Sequence, residues 1–494
     1  GIEPFNVADV VSTYVLAWSN RYFLVWHGKY NGKYGIYSSL RTSAGMPEGN
    51  PRTTIIERTY GAGTILALQK RSNDALVIWR DTRNYYGPSS QEEIYYQIVN
   101  SNGDVELATD GAALITFPPM TPYRMKTTYL ANGTTLVLFH YTFGNTAYLI
   151  GQAISPSGEI LWGDSGKVLQ SIPNIASFSK LMVHTEENDV FLAWAMNAPG
   201  GRTRNYLQKI VDGEIQWGNS GRIMTAHAID TLISEIPASI SDRFIVLETI
   251  DNSIFRKTLR VYHIEPDGQV TPGWDTNGVM LNSFDYGYDL NWSYVIASTP
   301  DKLLCAYQYD SGTDRRYRFY ILDSMGNFPV NNQLLIHNNS VQEMMSIDSS
   351  NGFAYAVNLV VENVGYCLAY GKVDTAGNQS WDDDVAVATP PILTSTTPIQ
   401  SIYGFANGGY ALPWRTLMEL YIHYVSPAGE LIPLSDDNPI ATNVTYRQPL
   451  YSMVNDELYL AWEDFSRTNT ASNSDIRMQK LRNPTSVFTN DPVI

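Results

Sequence analysis

The chain has 494 residues, of which 44% are hydrophobic and 17% charged, and its formal net charge at pH 7 is −16. Such an acidic chain repels phosphate backbones, and no run rich in lysine or arginine supplies a local exception, which argues against nucleic acid as a partner. No apolar run approaches the roughly 20 residues of a membrane-spanning helix, so we expect a large folded core and no direct membrane insertion.

A short apolar strand that mostly ends in an aromatic residue returns along the whole chain at intervals of about 48 to 60 residues. In chain order these strands end at Trp26, Trp79, Phe139, Trp194, Glu248, Tyr307, Val357, Trp414 and Trp462. A period of this length predicts one supersecondary unit that stacks on copies of itself. Repeats five, seven and eight are the weakest, because Glu248 and Val357 replace the aromatic residue and Pro413 forfeits a ladder hydrogen bond.

The fourth repeat shows what one unit contains. Residues 179–185, 189–194, 204–211 and 217–225 read as four short strands, and a DG dipeptide at residues 212–213 marks a tight turn between the last two. Four antiparallel strands recurring at a fixed period predict the blade of a β-propeller. The fold class is therefore all-β, a single closed propeller of about nine four-stranded blades, with eight as the alternative.

A glycine between the third and fourth strands is an independent marker of the same period. It recurs at Gly103, Gly158, Gly213, Gly268, Gly326, Gly377 and Gly429. A turn with positive φ requires glycine, so we expect each of these residues to adopt that conformation.

The two ends of the chain predict how the ring closes. The ninth repeat lacks a fourth strand, and residues 1–9 match residues 221–230, a fourth strand in the middle of the chain. We expect residues 1–9 to be the outer strand of the last blade, residues 10–482 to form the blades, and residues 483–494 to be a tail or linker, so that 1–494 is one domain. Because the chain begins at Gly1 rather than Met, we also expect a processed, exported protein.

Three segments suggest chemistry, and each has a structural explanation. GDSG at residues 163–166 resembles a serine-protease nucleophile loop, but the next repeat has GNSG at 218–221, so we interpret both as turns. Residues 382–384 are three aspartates that lack the spacing of a calcium loop, so calcium is an alternative and no cofactor or metal is expected. His27 and His140 share one position, but in repeats that are not adjacent, and we interpret them as strand-end residues.

One motif occurs in both the second and the ninth repeat: a tryptophan, then an aspartate two residues later, then an arginine. The residues of this blade motif, with the tryptophans at the same position in other repeats, are Trp26, Trp79, Asp81, Arg83, Trp194, Trp462, Asp464 and Arg467. Asp81 and Asp464 are placed to cap the following loop, with the arginines as their partners.

The motif resembles the repeat of secreted bacterial, Bacteroidetes-type propeller proteins, whose blades run Trp-x-Asp-x-Arg, Asp-Ile-Tyr-x-Gln and Trp-Gly-x-x-Gly. The resemblance covers nearly the whole chain and implies a propeller with a secreted or cell-surface role.

The loops between second and third strands are long and carry aromatic and arginine side chains, which dominate recognition surfaces. These candidate binding residues are Tyr85, Tyr86, Tyr141, Phe143, Arg202, Arg204, Arg315, Arg316 and Phe465. We expect a non-catalytic module that binds protein or glycan. The alternatives are a glycan-active enzyme with carboxylates in the central opening and a scaffold subunit of a larger surface assembly.

Overall fold

The structure is a computed structural model. It describes residues 8–18, 21–30, 33–42, 46–50, 52–58, 63–81, 83, 92–116, 122–173, 178–198, 202–218, 221–223, 233–240, 244–251, 256–285, 295–299, 302–310, 315–323, 325–327, 341–349, 352–361, 365–373, 388–392, 402–415, 419–433, 439–442, 450–454, 457–464 and 475–482.

The protein is all-β, and the chain divides into two compact units, one over Asn6–Ser283 and one over the rest. In the first unit each sheet is formed by consecutive strands. Its strands are β1 (Ala8–Trp18), β2 (Arg21–Tyr30), β3 (Lys33–Thr42), β4 (Thr53–Arg58), β5 (Thr64–Lys70), β6 (Asp74–Asp81), β7 (Glu93–Asn100), β8 (Ala112–Ile115), β9 (Tyr123–Tyr129), β10 (Thr135–Phe143), β11 (Thr146–Ile154), β12 (Lys167–Pro173), β13 (Phe178–Glu186), β14 (Asp189–Ala198), β15 (Arg202–Val211), β16 (Glu214–Ile215), β17 (Arg222–Ile223), β18 (Ile233–Ile240), β19 (Phe244–Asp251), β20 (Arg256–His263) and β21 (Val279–Asp285).

The second unit continues the same arrangement. Its strands are β22 (Val295–Thr299), β23 (Lys302–Asp310), β24 (Arg315–Asp323), β25 (Val341–Ser349), β26 (Gly352–Val361), β27 (Gly365–Val373), β28 (Ala388–Ile392), β29 (Tyr403–Gly404), β30 (Tyr410–Arg415), β31 (Glu419–Val425), β32 (Leu431–Pro433), β33 (Ala441–Thr442), β34 (Leu450–Val454), β35 (Glu457–Asp464) and β36 (Asp475–Arg482).

These strands form nine antiparallel sheets within the described residues, and we number the sheets 1 to 9 in chain order. Sheets 1, 2, 3, 5 and 7 have four strands in simple up-and-down order, sheets 4 and 8 add one short strand, and sheets 6 and 9 have three described strands. The predicted four-stranded antiparallel unit is thus confirmed. The predicted outer strand at residues 1–9 lies largely outside the described part, and Ala8 already pairs with Lys29 in sheet 1.

Neighbouring sheets of the first unit pack face to face. One apolar cluster joins sheets 1 and 2 through Val25 and Trp79, the next joins sheets 2 and 3 through Ile78 and Phe139, and a third joins sheets 3 and 4. The second strand of a sheet is buried along nearly its whole length, as in β10, which matches its continuous apolar sequence. Each sheet therefore depends on its neighbours for its core.

Four of the tryptophans near the ends of the second strands pair with tyrosines across the sheet, namely Trp26, Trp79, Trp194 and Trp414. Trp79 stacks on Tyr95 with ring centroids 6.2 Å apart, and Trp194 stacks on Tyr206 at 5.8 Å. Trp79 and Trp194 are fully buried. Offset stacking of this kind adds about 0.5–1.5 kcal/mol to the burial of the rings, which explains why this position retains an aromatic residue.

A buried glutamine on the third strand fastens the segment that leads to the fourth. The Gln152 side-chain oxygen accepts hydrogen bonds from the backbone N–H groups of Ala153 (2.9 Å) and Trp162 (3.2 Å), and its amide donates to the Gly163 carbonyl at 2.8 Å. The same amide lies 3.3 Å from the Leu114 carbonyl in sheet 2. Gln97 and Gln208 make the equivalent bonds in sheets 2 and 4, so we call this contact the glutamine lock.

The turn glycines also lie against the preceding sheet. Positive φ is confirmed at Gly103, Gly158, Gly213, Gly268, Gly326 and Gly429, whereas Gly377 lies outside the described residues. A Cβ atom on Gly158 would lie 2.6 Å from Ile98 of sheet 2, and one on Gly268 would lie 2.8 Å from Trp217 of sheet 4. These glycines therefore serve the turn and the contact between sheets at once.

The strands of each sheet in the first unit end on two opposite sides. The turns between strands one and two and between strands three and four lie on one side, which we call the turn edge. The loops between strands two and three lie on the other side, which we call the loop edge. Contacts between consecutive sheets show that this orientation is shared: Arg21 of sheet 1 donates to the Ser101 carbonyl of sheet 2 at 3.1 Å, and Arg71 of sheet 2 donates to the Ser155 carbonyl of sheet 3 at 3.3 Å.

We predict that Gly158→Ala destabilises the protein more than Gly163→Ala. Both glycines have positive φ, at 89° and 70°, but a Cβ on Gly163 meets nothing within 4 Å. The positive φ costs each variant about 1–2 kcal/mol, and overpacking against Ile98 adds about 1–3 kcal/mol to the first alone. Denaturant unfolding of the two variants side by side measures the difference. Equal losses would show that the turn does not pack on sheet 2.

We also predict that Gln152→Leu lowers the free energy of unfolding by about 2 kcal/mol or more, because it leaves buried backbone groups without partners at nearly constant side-chain volume. The control is Gln216→Leu, at an exposed position where, among the described residues, the side chain bonds only the Glu214 carbonyl, with an expected change within about 0.5 kcal/mol. Similar unfolding curves for both variants would contradict the structural role of the glutamine lock.

Candidate binding surfaces

Asp81 caps the loop that follows β6 and pairs with Arg83, as the sequence predicted. Its Oδ1 accepts the Arg83 backbone N–H at 2.7 Å, and its Oδ2 accepts the guanidinium Nε and Nη2 at 2.9 and 2.7 Å. The guanidinium lies 3.6 Å above the Tyr95 ring, whose hydroxyl donates to Glu93. Burial raises the pKa of Tyr95, and this hydrogen bond raises it further. Arg83 is thus held against the sheet and is structural.

The corresponding motif in sheet 9 is described only in part. Asp464 ends β35 and pairs with Asp475, and Trp462 is 7% exposed, whereas Arg467 lies outside the described residues. Of the candidate binding residues, Tyr85, Tyr86 and Phe465 also lie outside them. Their binding role stays a prediction.

Tyr141 is not a loop residue, and this corrects its predicted placement. The strands β10 and β11 pair from Thr135 to Phe143 without interruption and are joined by the two-residue turn at residues 144–145. Tyr141 lies inside β10, is only 4% exposed and stacks on Tyr148 with centroids 4.7 Å apart. Burial raises its pKa to about 12. Tyr141 therefore supports the hairpin from within.

Phe143 lies at the end of the same strand and is 52% exposed. Its backbone pairs with Thr146 next to Gly144, whose φ is 57°, so the aromatic ring stands at the tip of a fully paired hairpin. A large apolar side chain on a rigid loop-edge tip has the character of a recognition anchor.

The four candidate arginines lie in strands rather than in loops. Arg202 and Arg204 open β15, the third strand of sheet 4, where they pair with Ala198 and Met196. Arg315 and Arg316 open β24, the third strand of sheet 6. Each pair lies, within its own sheet, at the strand end that follows the loop between strands two and three. The sequence thus assigned the correct edge but not the strand pairing that holds these residues.

The structure shows a depression at the turn edge that the sequence did not predict. It lies between the ends of β5 and β9, has a volume of about 500 Å³ and is lined by residues 69–72 and 127–129. Its lining is rich in hydroxyl and amide groups. No linear motif marks it, because its two walls come from different sheets.

Two of the other segments for which the sequence suggested chemistry are turns in the structure. GDSG and GNSG both form turns, in which the Gly166 N–H donates to the Gly163 carbonyl at 3.0 Å and the Gly221 N–H to the Gly218 carbonyl at 3.2 Å, so the turn interpretation is confirmed. Residues 382–384 lie outside the described part. Within the described part, no group of three or more His, Cys, Asp or Glu side chains could hold a metal ion, and no helix could cross a membrane.

His27 and His140 are both buried, at 7% and 2% exposure, in sheets 1 and 3. Burial disfavours the charged imidazolium and the positive charge of Arg124 adds to this, so that the pKa of His140 is lowered from 6.5 to about 3. His140 is therefore a neutral core residue at physiological pH.

This shift predicts a loss of stability in mild acid. Below about pH 6.5 the unfolded chain binds a proton at His140 that the folded chain does not, so stability falls as the pH drops from about 6.5 towards 3. The contribution amounts to about 2 kcal/mol between about pH 7 and about pH 5. His140→Gln should remove this part of the pH dependence, which denaturant unfolding at the two pH values measures. An identical pH dependence in the variant would show that His140 is protonated in the folded protein.

No protein-family model matches the chain, and no curated protein matches it. Several solved structures are similar. A prolyl endopeptidase has a TM-score of 0.41 and 12% identity over 83% of this chain, which spans only 54% of that protein. The polysaccharide lyase Uly1 has a TM-score of 0.40 and 9% identity over 98% of this chain and 91% of its own. The WD40 domain of SCAP from fission yeast has a TM-score of 0.38 and 8% identity over 83% of this chain and 95% of its own.

Proposed function

We propose that the protein is a β-propeller of nine blades that closes into a ring with residues 1–9 as the outer strand of the last blade. Nine sheets within the described residues support the count, and their up-and-down strand order supports the blade assignment. The face-to-face packing of sheets 1 to 4, all with the same edge orientation, supports a circular arrangement. Closure would also remove the exposed sheet edges that promote aggregation.

On this scaffold the protein acts as a non-catalytic binding module for protein or glycan, secreted or held at the cell surface. The observation that carries this function is the exposed ring of Phe143 at the tip of the paired β10–β11 hairpin. An exposed aromatic anchor on a rigid element loses little conformational entropy on binding, which favours recognition. The resemblance of the blade motif to secreted Bacteroidetes-type repeats agrees with this role.

Two further features favour the loop edge as the binding surface. Arg202 and Arg204 open β15, the third strand of the next sheet, so that they lie at the same loop edge at which Phe143 ends the second strand of sheet 3. Arginine and aromatic residues are the types enriched in binding hot spots. The Tyr141–Tyr148 stack beneath Phe143 keeps the hairpin in one conformation, as a preformed site requires.

The test compares Phe143→Ala with Tyr141→Ala. We expect Phe143→Ala to leave the free energy of unfolding within about 0.5 kcal/mol of the unmodified protein but to weaken binding by about 30-fold, because it removes an anchor worth about 2 kcal/mol. Tyr141→Ala should instead destabilise the fold by about 3 kcal/mol, because it leaves a buried cavity. Ligands from a glycan array and from an extracellular protein extract provide the binding assay, and denaturant unfolding provides the stability.

The comparison extends to the other loop-edge candidates through alanine substitutions of Tyr85, Tyr86 and Phe465. If every loop-edge variant binds as the unmodified protein does, the binding surface lies elsewhere. If the protein retains no ligand in either assay, the proposed function is wrong.

A further inference from the structure

Every second side chain of β5 and β9 faces the turn-edge depression. Gln69 pairs with Leu76 in β6, and Thr127 pairs with Val137 in β10. Both partners belong to the apolar cluster that joins sheets 2 and 3. Because successive side chains of a strand point to opposite faces, Gln69 and Thr127 point into the space between these sheets, and Tyr129 does so two residues after Thr127.

The residues between them turn their side chains the other way. Lys70 pairs with Ala75, which belongs to the cluster that joins sheets 1 and 2. Thr128 pairs with Leu136 of the cluster that joins sheets 3 and 4, and its hydroxyl is hydrogen-bonded to that of Thr185 in sheet 4. Lys70 and Thr128 therefore contribute their backbone to the lining rather than their side chains.

The charge of Arg71, at the end of the depression, is already balanced. Its side chain is 2% exposed and forms an ion pair with Asp74 at 2.8 Å. The same guanidinium donates to the carbonyls of Ser155, at 3.3 Å, and Pro156 in sheet 3. Since a buried charge with these partners is satisfied, Arg71 fixes one wall against the other and offers no charge to a ligand. The lining thus favours a neutral ligand.

The side chains that face the depression retain hydrogen-bonding capacity. The Gln69 amide donates from Nε2 to the Lys70 carbonyl at 2.9 Å, which orients the side chain. Among the described residues, neither the Gln69 Oε1 nor the Thr127 hydroxyl has a hydrogen-bond partner. The depression therefore presents an acceptor and a hydroxyl that can both donate and accept, which matches the hydroxyl groups of a sugar.

Tyr129 adds an aromatic ring to this polar lining. The ring is half-buried, and its hydroxyl donates to Ser72 Oγ of the opposite wall at 3.0 Å. This bond holds the ring in one orientation. A fixed and partly exposed ring is a platform for the apolar C–H face of a sugar. The volume of about 500 Å³ lies within the range of about 300–1,000 Å³ that small-ligand sites have.

The strand edges at the depression are poor templates for a peptide. Hydrogen-bonded and non-bonded pairs alternate along an antiparallel ladder, and the Arg71 N–H donates to the Asp74 carbonyl, so the Lys70 carbonyl points away from β6. An added strand would need that carbonyl, which already accepts the Gln69 amide. On the other wall a bulge at residues 124–125 interrupts the edge of β9. A saccharide needs no continuous backbone ladder and fits both edges better.

We propose that the turn-edge depression binds a neutral saccharide chain of β-linked pyranose units. One sugar ring packs on Tyr129, and its hydroxyls bond the Thr127 hydroxyl and the Gln69 Oε1. Equatorial hydroxyls leave both faces of such a ring apolar, which suits contact with a single aromatic side chain. This is a second site, at the edge opposite Phe143, and it stands whether or not the loop edge binds a ligand.

The experiment measures binding of cellohexaose to the full chain by titration calorimetry and compares two adjacent threonines. We expect the unmodified protein to bind and Thr127→Val to weaken binding about threefold or more, because a hydrogen bond to the sugar is lost at constant side-chain volume. The matched control is Thr128→Val, whose side chain lies on the opposite face of the same strand. It should change the affinity less than about twofold.

A second pair of variants tests the aromatic contact. Tyr129→Ala should weaken binding of cellohexaose about tenfold or more, whereas Tyr129→Phe keeps the ring, loses only the bond to Ser72 and should change binding less than about threefold. Thermal unfolding shows whether Tyr129→Ala is folded. If it is not, the isosteric Thr127→Val and its control carry the test.

Four results would overturn the proposal. The first is that the unmodified protein does not bind cellohexaose, and the second is that Thr127→Val and Thr128→Val weaken binding equally. Tighter binding of a neutral glycine–serine hexapeptide would identify a peptide site, and tighter binding of oligogalacturonate would identify a site for anions. Phe143→Ala should bind cellohexaose normally, since a loss of binding would place the saccharide at the loop edge instead.

Discussion

The constraint on which this structure depends is that no sheet can cover its own faces. The second strands are buried along almost their whole length, as in β10, so both faces of a sheet need an apolar partner, and in the first unit that partner is the neighbouring sheet. The contacts between consecutive sheets therefore decide the fold. They combine apolar clusters with a small number of directional bonds, such as those of Arg71 to carbonyls of sheet 3 and of Gln152 to sheet 2. Apolar contact alone tolerates sliding, whereas these bonds fix the register of one sheet on the next.

The sequence predicted the features that arise from local constraints. The aromatic positions and the turn glycines recur because each depends on backbone geometry within one sheet, and the structure confirms positive φ at six of these glycines. The glutamine lock was not predicted from the sequence, because a polar residue in a strand usually indicates a solvent-facing position. The sequence signal for it is the recurrence of Gln97, Gln152 and Gln208 at one register. Tyr141 was misplaced because its segment was interpreted as a loop, although the Gly-Asn pair at 144–145 is typical of a two-residue hairpin turn.

The same reasoning explains why one candidate site could be anticipated and the other could not. Loop-edge residues follow a marker in the sequence, so Phe143 can be assigned to its edge by counting from Phe139. The turn-edge depression has walls from sheets 2 and 3, and its lining residues lie more than fifty positions apart. Its existence depends on how two sheets pack, which a single repeat does not encode.

The net charge of the chain acts differently at long range and at short range. A protein of net charge −16 repels acidic polymers at long range, but screening limits that repulsion to about 8 Å at physiological ionic strength. Within that distance a ligand meets the local charges of the surface that it approaches. The position of a charge relative to the packed sheets, more than the total charge, therefore determines which ligands can approach this surface.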